Sequence, residues 1–271
     1  MTEHLYFSLT QHLLSDATAE FTAATQSAFL RAAAQGRLDK ETLRLWLVYD
    51  REYISHYING AEKFLNAIQN PKSGTSDAPE KELDQSELAL VAWLTEGVAN
   101  VRREDQFFVD VAARYGIDLE PRTDDPESAA ANAFGVLFEY VPAIREQSEP
   151  WWLQGAILFW ATEECYLKAW SWAKTQLNDQ SPEKDADGGA LRTEFIPNWT
   201  SPEFADFVDR LAQIIDGAVN KMSENIEDKK ETDPQGAAAL REFVFLEKTV
   251  QKPQKLFLEV LKIEEKFWPV L

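Results

Sequence analysis

Apolar residues recur at intervals of three and four along most of the chain, the period of a helix with one buried face. That pattern predicts long helices over residues 15–35, 39–69, 86–115, 127–146, 150–178, 201–224 and 234–268. The boundaries carry their own signals. Gly36 followed by Asp39 reads as a helix stop and then an N-cap, and Ser201-Pro202 as an N-cap with proline at the first helical position. No stretch of useful length alternates with the period of two that a strand requires. Four hydrophilic, helix-breaking segments, 70–85, 116–127, 179–190 and 225–235, read as surface loops. None is long enough to part independent domains and no internal repeat is visible. Residues 1–271 are therefore read as one all-α domain, a bundle of about seven helices.

Three of the apolar stripes contain a misfit. The stripe of the second helix runs Leu43, Trp46, Asp50, Tyr53, Tyr57, Phe64. That of the fifth runs Trp152, Ala156, Phe159, Glu163, Tyr166, Trp170, and that of the last Leu246, Val250, Phe257, Leu261, Glu264, Trp268. Each holds one carboxylate where an apolar side chain belongs. A buried carboxylate must be paired, hydrogen-bonded or protonated, because an unpaired buried charge is costly. A single such acid is ordinarily a structural hydrogen-bond partner. Three, each flanked by tyrosine or tryptophan, suggest a pocket with aromatic walls for a flat heteroaromatic ring that carries hydrogen-bond donors.

Composition narrows the field. The 271 residues include 9 Trp, 7 Tyr and 16 Phe, which marks a folded core rather than a disordered acidic chain. The 27 Lys+Arg against 46 Asp+Glu leave a formal charge of −19, which argues against an extended nucleic-acid or anionic-membrane surface. Cys165 is the single cysteine, so an intramolecular disulfide and a cysteine zinc site are excluded. A lone buried cysteine is most simply a small apolar filler. The histidines are His4, His12 and His56, and no Glu-x-x-His pair occurs, so a bundle di-metal site lacks its ligands. His12 or His56 as an axial haem ligand is less economical than either as a hydrogen-bond donor. No metal and no cofactor are expected. The opening MTEHLYFSLTQHL lacks a basic flank with a long apolar run, and no stretch approaches the roughly 20 apolar residues of a membrane helix. A cytoplasmic protein is expected.

The run TQSAFLRAAAQGRLDKETLRLWLVYDREYISHYINGAEKFL (25–65) resembles the opening helices of the TenA/thiaminase II family. Three further segments agree in order: ILFWATEECYLKAW (157–170), FIPNWTSPEF (195–204) and IEEKFW (263–268). The resemblance implies the haem-oxygenase-like all-α fold without haem, and activity on the pyrimidine of thiamin or its breakdown products. It implies that Asp50 binds the aminopyrimidine edge, that Tyr53 is the aromatic one turn later and that Glu264 handles the proton of the leaving group. Glu265, about 100° further around the helix, is expected at the surface. Glu163 stands near where the best-known branch carries a nucleophilic cysteine and is similar to the pattern of a branch with Glu in that role, associated with salvage of aminopyrimidine or formylaminopyrimidine. Phe134 and Trp199 stand where that cysteine branch has tyrosines. The loops at 70–85, 179–190 and 225–235 are longer than is usual in the family.

The expectation is a hydrolase of aminomethyl- or formylaminomethyl-pyrimidine. Asp50, Glu163 and Glu264 would act catalytically, and Asp50, Tyr53, Tyr166, Phe134 and Trp199 would bind substrate. Thiaminase activity, with thiazole as leaving group, and a non-catalytic pyrimidine-binding or regulatory protein are the alternatives. The family also implies a homodimer or homotetramer.

Overall fold

The computed structural model describes residues 6–70, 82–141, 150–232 and 246–271, with side chains described outside 225–232. Among these residues the regular structure is entirely helical. The helices are α1 (Leu9–Asp16), α2 (Thr18–Thr25), α3 (Ala28–Ala34), α4 (Lys40–Gln69), α5 (Gln85–Tyr115), α6 (Ala129–Tyr140), α7 (Leu153–Thr175), α8 (Ile196–Trp199), α9 (Pro202–Thr232) and α10 (Lys252–Phe267). No helix among the described residues is long and apolar enough to cross a membrane.

The caps explain where the long helices start. Gly36 takes φ +67°, and Asp39 accepts from Thr42 N at 2.8 Å to begin α4. Asp84 and Glu87 form a reciprocal capping box on α5, which Gly116 ends in the left-handed region. Ser201 accepts from Phe204 N at 3.2 Å, directly before Pro202, to begin α9.

Four features depart from the sequence reading. The helix expected over 15–35 is broken at Ala17 and at Gln26-Ser27, where Ser27 caps α3 through Leu30 N. The loop expected at 225–235 is helical up to Thr232. The segment 179–190 is anchored: Asp185 and Asp187 are buried, and Arg192 donates to Asp185 through Nε at 2.6 Å and Nη2 at 2.8 Å. Finally, α10 is preceded by a π-helical turn, Glu247–Gln251, which shifts the buried face. Thr249 is buried there, while Leu246 of the expected stripe is 47% exposed. The expected segments 70–85, 127–146 and 234–268 fall partly outside the described residues.

Long helices α4 and α7 run antiparallel, with a layer of rings between them. Trp46 meets Trp170 at 5.4 Å between centroids, Tyr53 meets Tyr166 at 6.2 Å, and Phe64 meets Phe159 at 6.1 Å. Residue numbers rise on one helix as they fall on the other. Helix α10 packs against α7, α2 and α6, while α5 and α9 pack together beside α4 and α7. The site lies where the ring layer meets α5 and the turn at Trp199.

Candidate active site

Helix α4 supplies Asp50, Tyr53 and Tyr57 to a cavity of about 410 Å³, and α7 supplies Glu163 and Tyr166. Helix α5 adds Glu104, and α8 adds Trp199. The volume suits a small organic molecule, for which cavities run from about 300 to 1,000 Å³. The carboxyls come together because each occupies the same inward stripe as its aromatic neighbours, so the packing that buries the rings carries the acids with them.

Asp50, Glu163 and Glu104 each have a distinct partner. The Tyr166 hydroxyl donates to Asp50 Oδ1, and the Tyr57 hydroxyl donates to Glu163 Oε1 at 2.7 Å. The Trp199 indole donates to Glu104 Oε1. Glu264 lies deeper: it is fully buried, both of its oxygens lack a hydrogen-bond partner among the described residues, and it does not line the cavity. Tyr53 and Tyr166, stacked within 5° of parallel, line the cavity, with Phe267 and Trp268 against Tyr166.

Burial dominates the electrostatics. It pushes Glu163 up to about 8, against the Tyr57 hydrogen bond and with the Glu104 charge adding to it. Burial likewise lifts Glu104 to about 7, opposed by the Trp199 hydrogen bond. Asp50 is held well above the usual carboxyl range by burial and then by Glu104, and Glu264 by burial, Asp50 and Glu163. Among the described residues none of these four acids is paired with lysine or arginine. Like charges packed together divide into protonated and ionised members. The site thus offers both donors and acceptors of protons near neutral pH.

The structure brings Asp50, Tyr53, Glu163, Tyr166 and Trp199 onto one cavity. Phe134 is not on it. The ring is fully buried behind Tyr53, at 5.3 Å in an edge-to-face contact, and it backs the wall. Glu265 is exposed, as its angle from Glu264 requires. Cys165 is buried away from the cavity, and burial, with Glu264 and Glu164, pushes its thiol well above the ordinary value. Among the described residues no three His, Cys, Asp or Glu side chains are grouped to hold a metal ion.

Glu104 was not among the acids expected from the sequence, although it obeys the same pattern. Leu90, Leu94, Gly97, Val101, Phe108 and Val111 form the buried stripe of α5, and Glu104 falls on that stripe between Val101 and Phe108. It is a fourth acid at an apolar position. The adjoining charges Arg102, Arg103 and Asp105 disguise it as part of a solvated run.

No family model matches the chain. Solved structures share the fold. A TenA homologue from Pyrococcus furiosus aligns with TM-score 0.63 at 20% identity, covering 96% of this chain and 98% of its own. A TenA family transcription regulator from Silicibacter sp. TM1040 aligns with TM-score 0.64 at 13% identity, covering 97% and 96%. A TenA homologue protein from P. horikoshii OT3 gives TM-score 0.62 at 16% identity, with 97% of each chain covered. These likenesses establish the TenA-like helical fold. A probable transcription factor of Fusarium pseudograminearum is 27% identical over 250 residues, 80% of this chain. The chain spans about half, 47%, of that curated relative's length.

Proposed function

We propose that the chain hydrolyses aminomethyl- or formylaminomethyl-pyrimidine, returning the pyrimidine to thiamin synthesis. One observation carries this reading: a small aromatic cavity presents Asp50, Glu104 and Glu163 with no lysine or arginine paired to them among the described residues. Such a cavity accepts a flat ring rich in N–H donors or positive charge. The likeness of fold to TenA homologues supports the same substrate class.

In this reading Asp50, oriented by Tyr166, accepts hydrogen bonds from the amino and ring-nitrogen edge and favours the protonated ring. Glu163, oriented by Tyr57, removes a proton from water or attacks the ring-bearing carbon itself. The arm must leave protonated: one that binds as ammonium already carries its proton, and one that binds neutral takes it from Glu264. The C–N bond of the arm then breaks, ammonia departs (formamide from the formyl derivative), and water supplies the new C–O bond. Because Glu264 lies behind the Tyr53–Tyr166 wall, its proton reaches the amine when that wall yields. The active unit is a homodimer or homotetramer in the cytoplasm.

A second reading has an observation of its own. Glu264 is sealed from the cavity, and a curated relative and a TenA-fold neighbour are named as a probable transcription factor and a transcription regulator. A pyrimidine-binding regulatory protein without turnover fits those facts. Chromatography after incubation with aminomethylpyrimidine, its formyl derivative and thiamin separates the readings. Hydroxymethylpyrimidine and ammonia, lost at least tenfold in Glu163→Gln, support the hydrolase. Thiazole release from thiamin indicates thiaminase, and tight binding by calorimetry without product indicates the regulator.

A further inference from the structure

Glu104 stands apart from the other acids of the cavity. It comes from α5, which contributes neither Asp50, Glu163 nor Glu264, and its hydrogen bond is from the Trp199 indole. That indole is itself clamped, stacked on Trp170 at 4.8 Å and on Phe195 at 5.4 Å, with Trp46 and Phe108 edge-on. The clamp fixes the direction of the Glu104 carboxylate before any ligand arrives, which is what a recognition group requires. Arg103, which also lines the cavity, is not paired with it among the described residues: its guanidinium donates to Asn100 Oδ1, and its charge acts on Glu96.

Resting on the pyrimidine reading above, we infer that Glu104 is a specificity-determining residue, which receives the ammonium side arm of the ligand while Asp50 receives the ring edge. The chemistry follows from the two acids' settings. Asp50 has its Oδ1 committed to Tyr166 at the inner wall, while Glu104 is set on the facing helix with a single indole donor. A ligand with two separate donor groups, one on the ring and one on a charged arm, satisfies both. A neutral hydroxymethyl arm satisfies Asp50 equally and gains no charge-assisted bond from Glu104.

Calorimetry with two probes, aminomethylpyrimidine and hydroxymethylpyrimidine, tests this in wild type and Glu104→Gln, because both probes carry the same ring. Glutamine keeps an acceptor for the Trp199 indole and removes the charge. The wild type is expected to bind the ammonium probe about tenfold or more tightly than the hydroxymethyl probe, and Glu104→Gln to lose that preference while binding hydroxymethylpyrimidine within about threefold of wild type. Equal weakening of both probes, or an unchanged preference, overturns the role of Glu104 and leaves the pyrimidine reading standing. A wild type that binds neither probe overturns the pyrimidine reading and the inference with it. Should the glutamine variant fail to fold by circular dichroism, Glu104→Met carries the same comparison. A wild type with no preference for the ammonium probe overturns the inference without any variant.

Discussion

The Tyr57 hydroxyl donates to Glu163 Oε1 across 2.7 Å, tying α4 to α7 at the cavity wall. This hydrogen bond favours the ionised carboxylate and opposes the burial that lifts Glu163 to about 8. Removing it in Tyr57→Phe raises the carboxyl further. In the hydrolase reading Glu163 must be ionised, so the acidic limb of kcat/KM moves to higher pH and activity at pH 7 falls severalfold. A pH–rate profile of the two proteins checks the shift.

Glu264 is fully buried, with both oxygens unpartnered among the described residues, so its carboxyl costs stability. Glu264→Met, of similar length and apolar, should stabilise the fold by about 1–3 kcal/mol while abolishing turnover. Urea unfolding and the product assay measure the two halves. A destabilised variant would show that the carboxyl has a structural partner.

Stability should fall as pH rises. Glu104 and Glu163 are raised from 4.5 to about 7 and about 8, so the folded state holds protons that the unfolded chain releases. Their contribution is complete below the unfolded value and is lost as pH climbs through the folded values. Asp39, Asp84, Glu96 and Asp125 are lowered by their hydrogen bonds and lose their contribution at acid pH instead. Melting temperature therefore peaks near pH 5 and declines toward pH 8.5, and Glu163→Gln has the shallower decline.

Gly60 lets α4 approach α6. A Cβ there would lie 2.7 Å from Phe138 Cβ and 2.9 Å from the Phe138 carbonyl oxygen, atoms with little room to move. Gly60→Ala should cost about 1–3 kcal/mol, seen as a lower urea midpoint with unchanged slope.

Helical period and a few capping residues made the long helices legible: α4, α5 and α7 begin and end within a few residues of the positions that Asp39 and the apolar stripes dictate, while the Asp84 capping box of α5 emerged only in the structure. Asp50, Glu163 and Glu264 were legible because a carboxylate on an aromatic stripe contradicts its surroundings. What periodicity conveys is a face, not a depth. It could not distinguish Glu163 on the cavity from Glu264 behind the wall, nor Trp199 on the cavity from Phe134 behind Tyr53. Nor could it register the π-helical turn at Glu247–Gln251, whose extra residue rotates Leu246 out of the stripe. The breaks at Ala17 and Ser27 were hidden by alanine-rich sequence that favours helix throughout.

A crystal structure of Glu163→Gln with aminomethylpyrimidine bound tests whether the acidic, aromatic cavity is a pyrimidine site. The ring is expected in the cavity of about 410 Å³, its amino and ring-nitrogen edge within hydrogen-bond reach of Asp50 and its face against Tyr53 and Tyr166. Density for the pyrimidine at another site, or an empty cavity at saturating ligand, would contradict it.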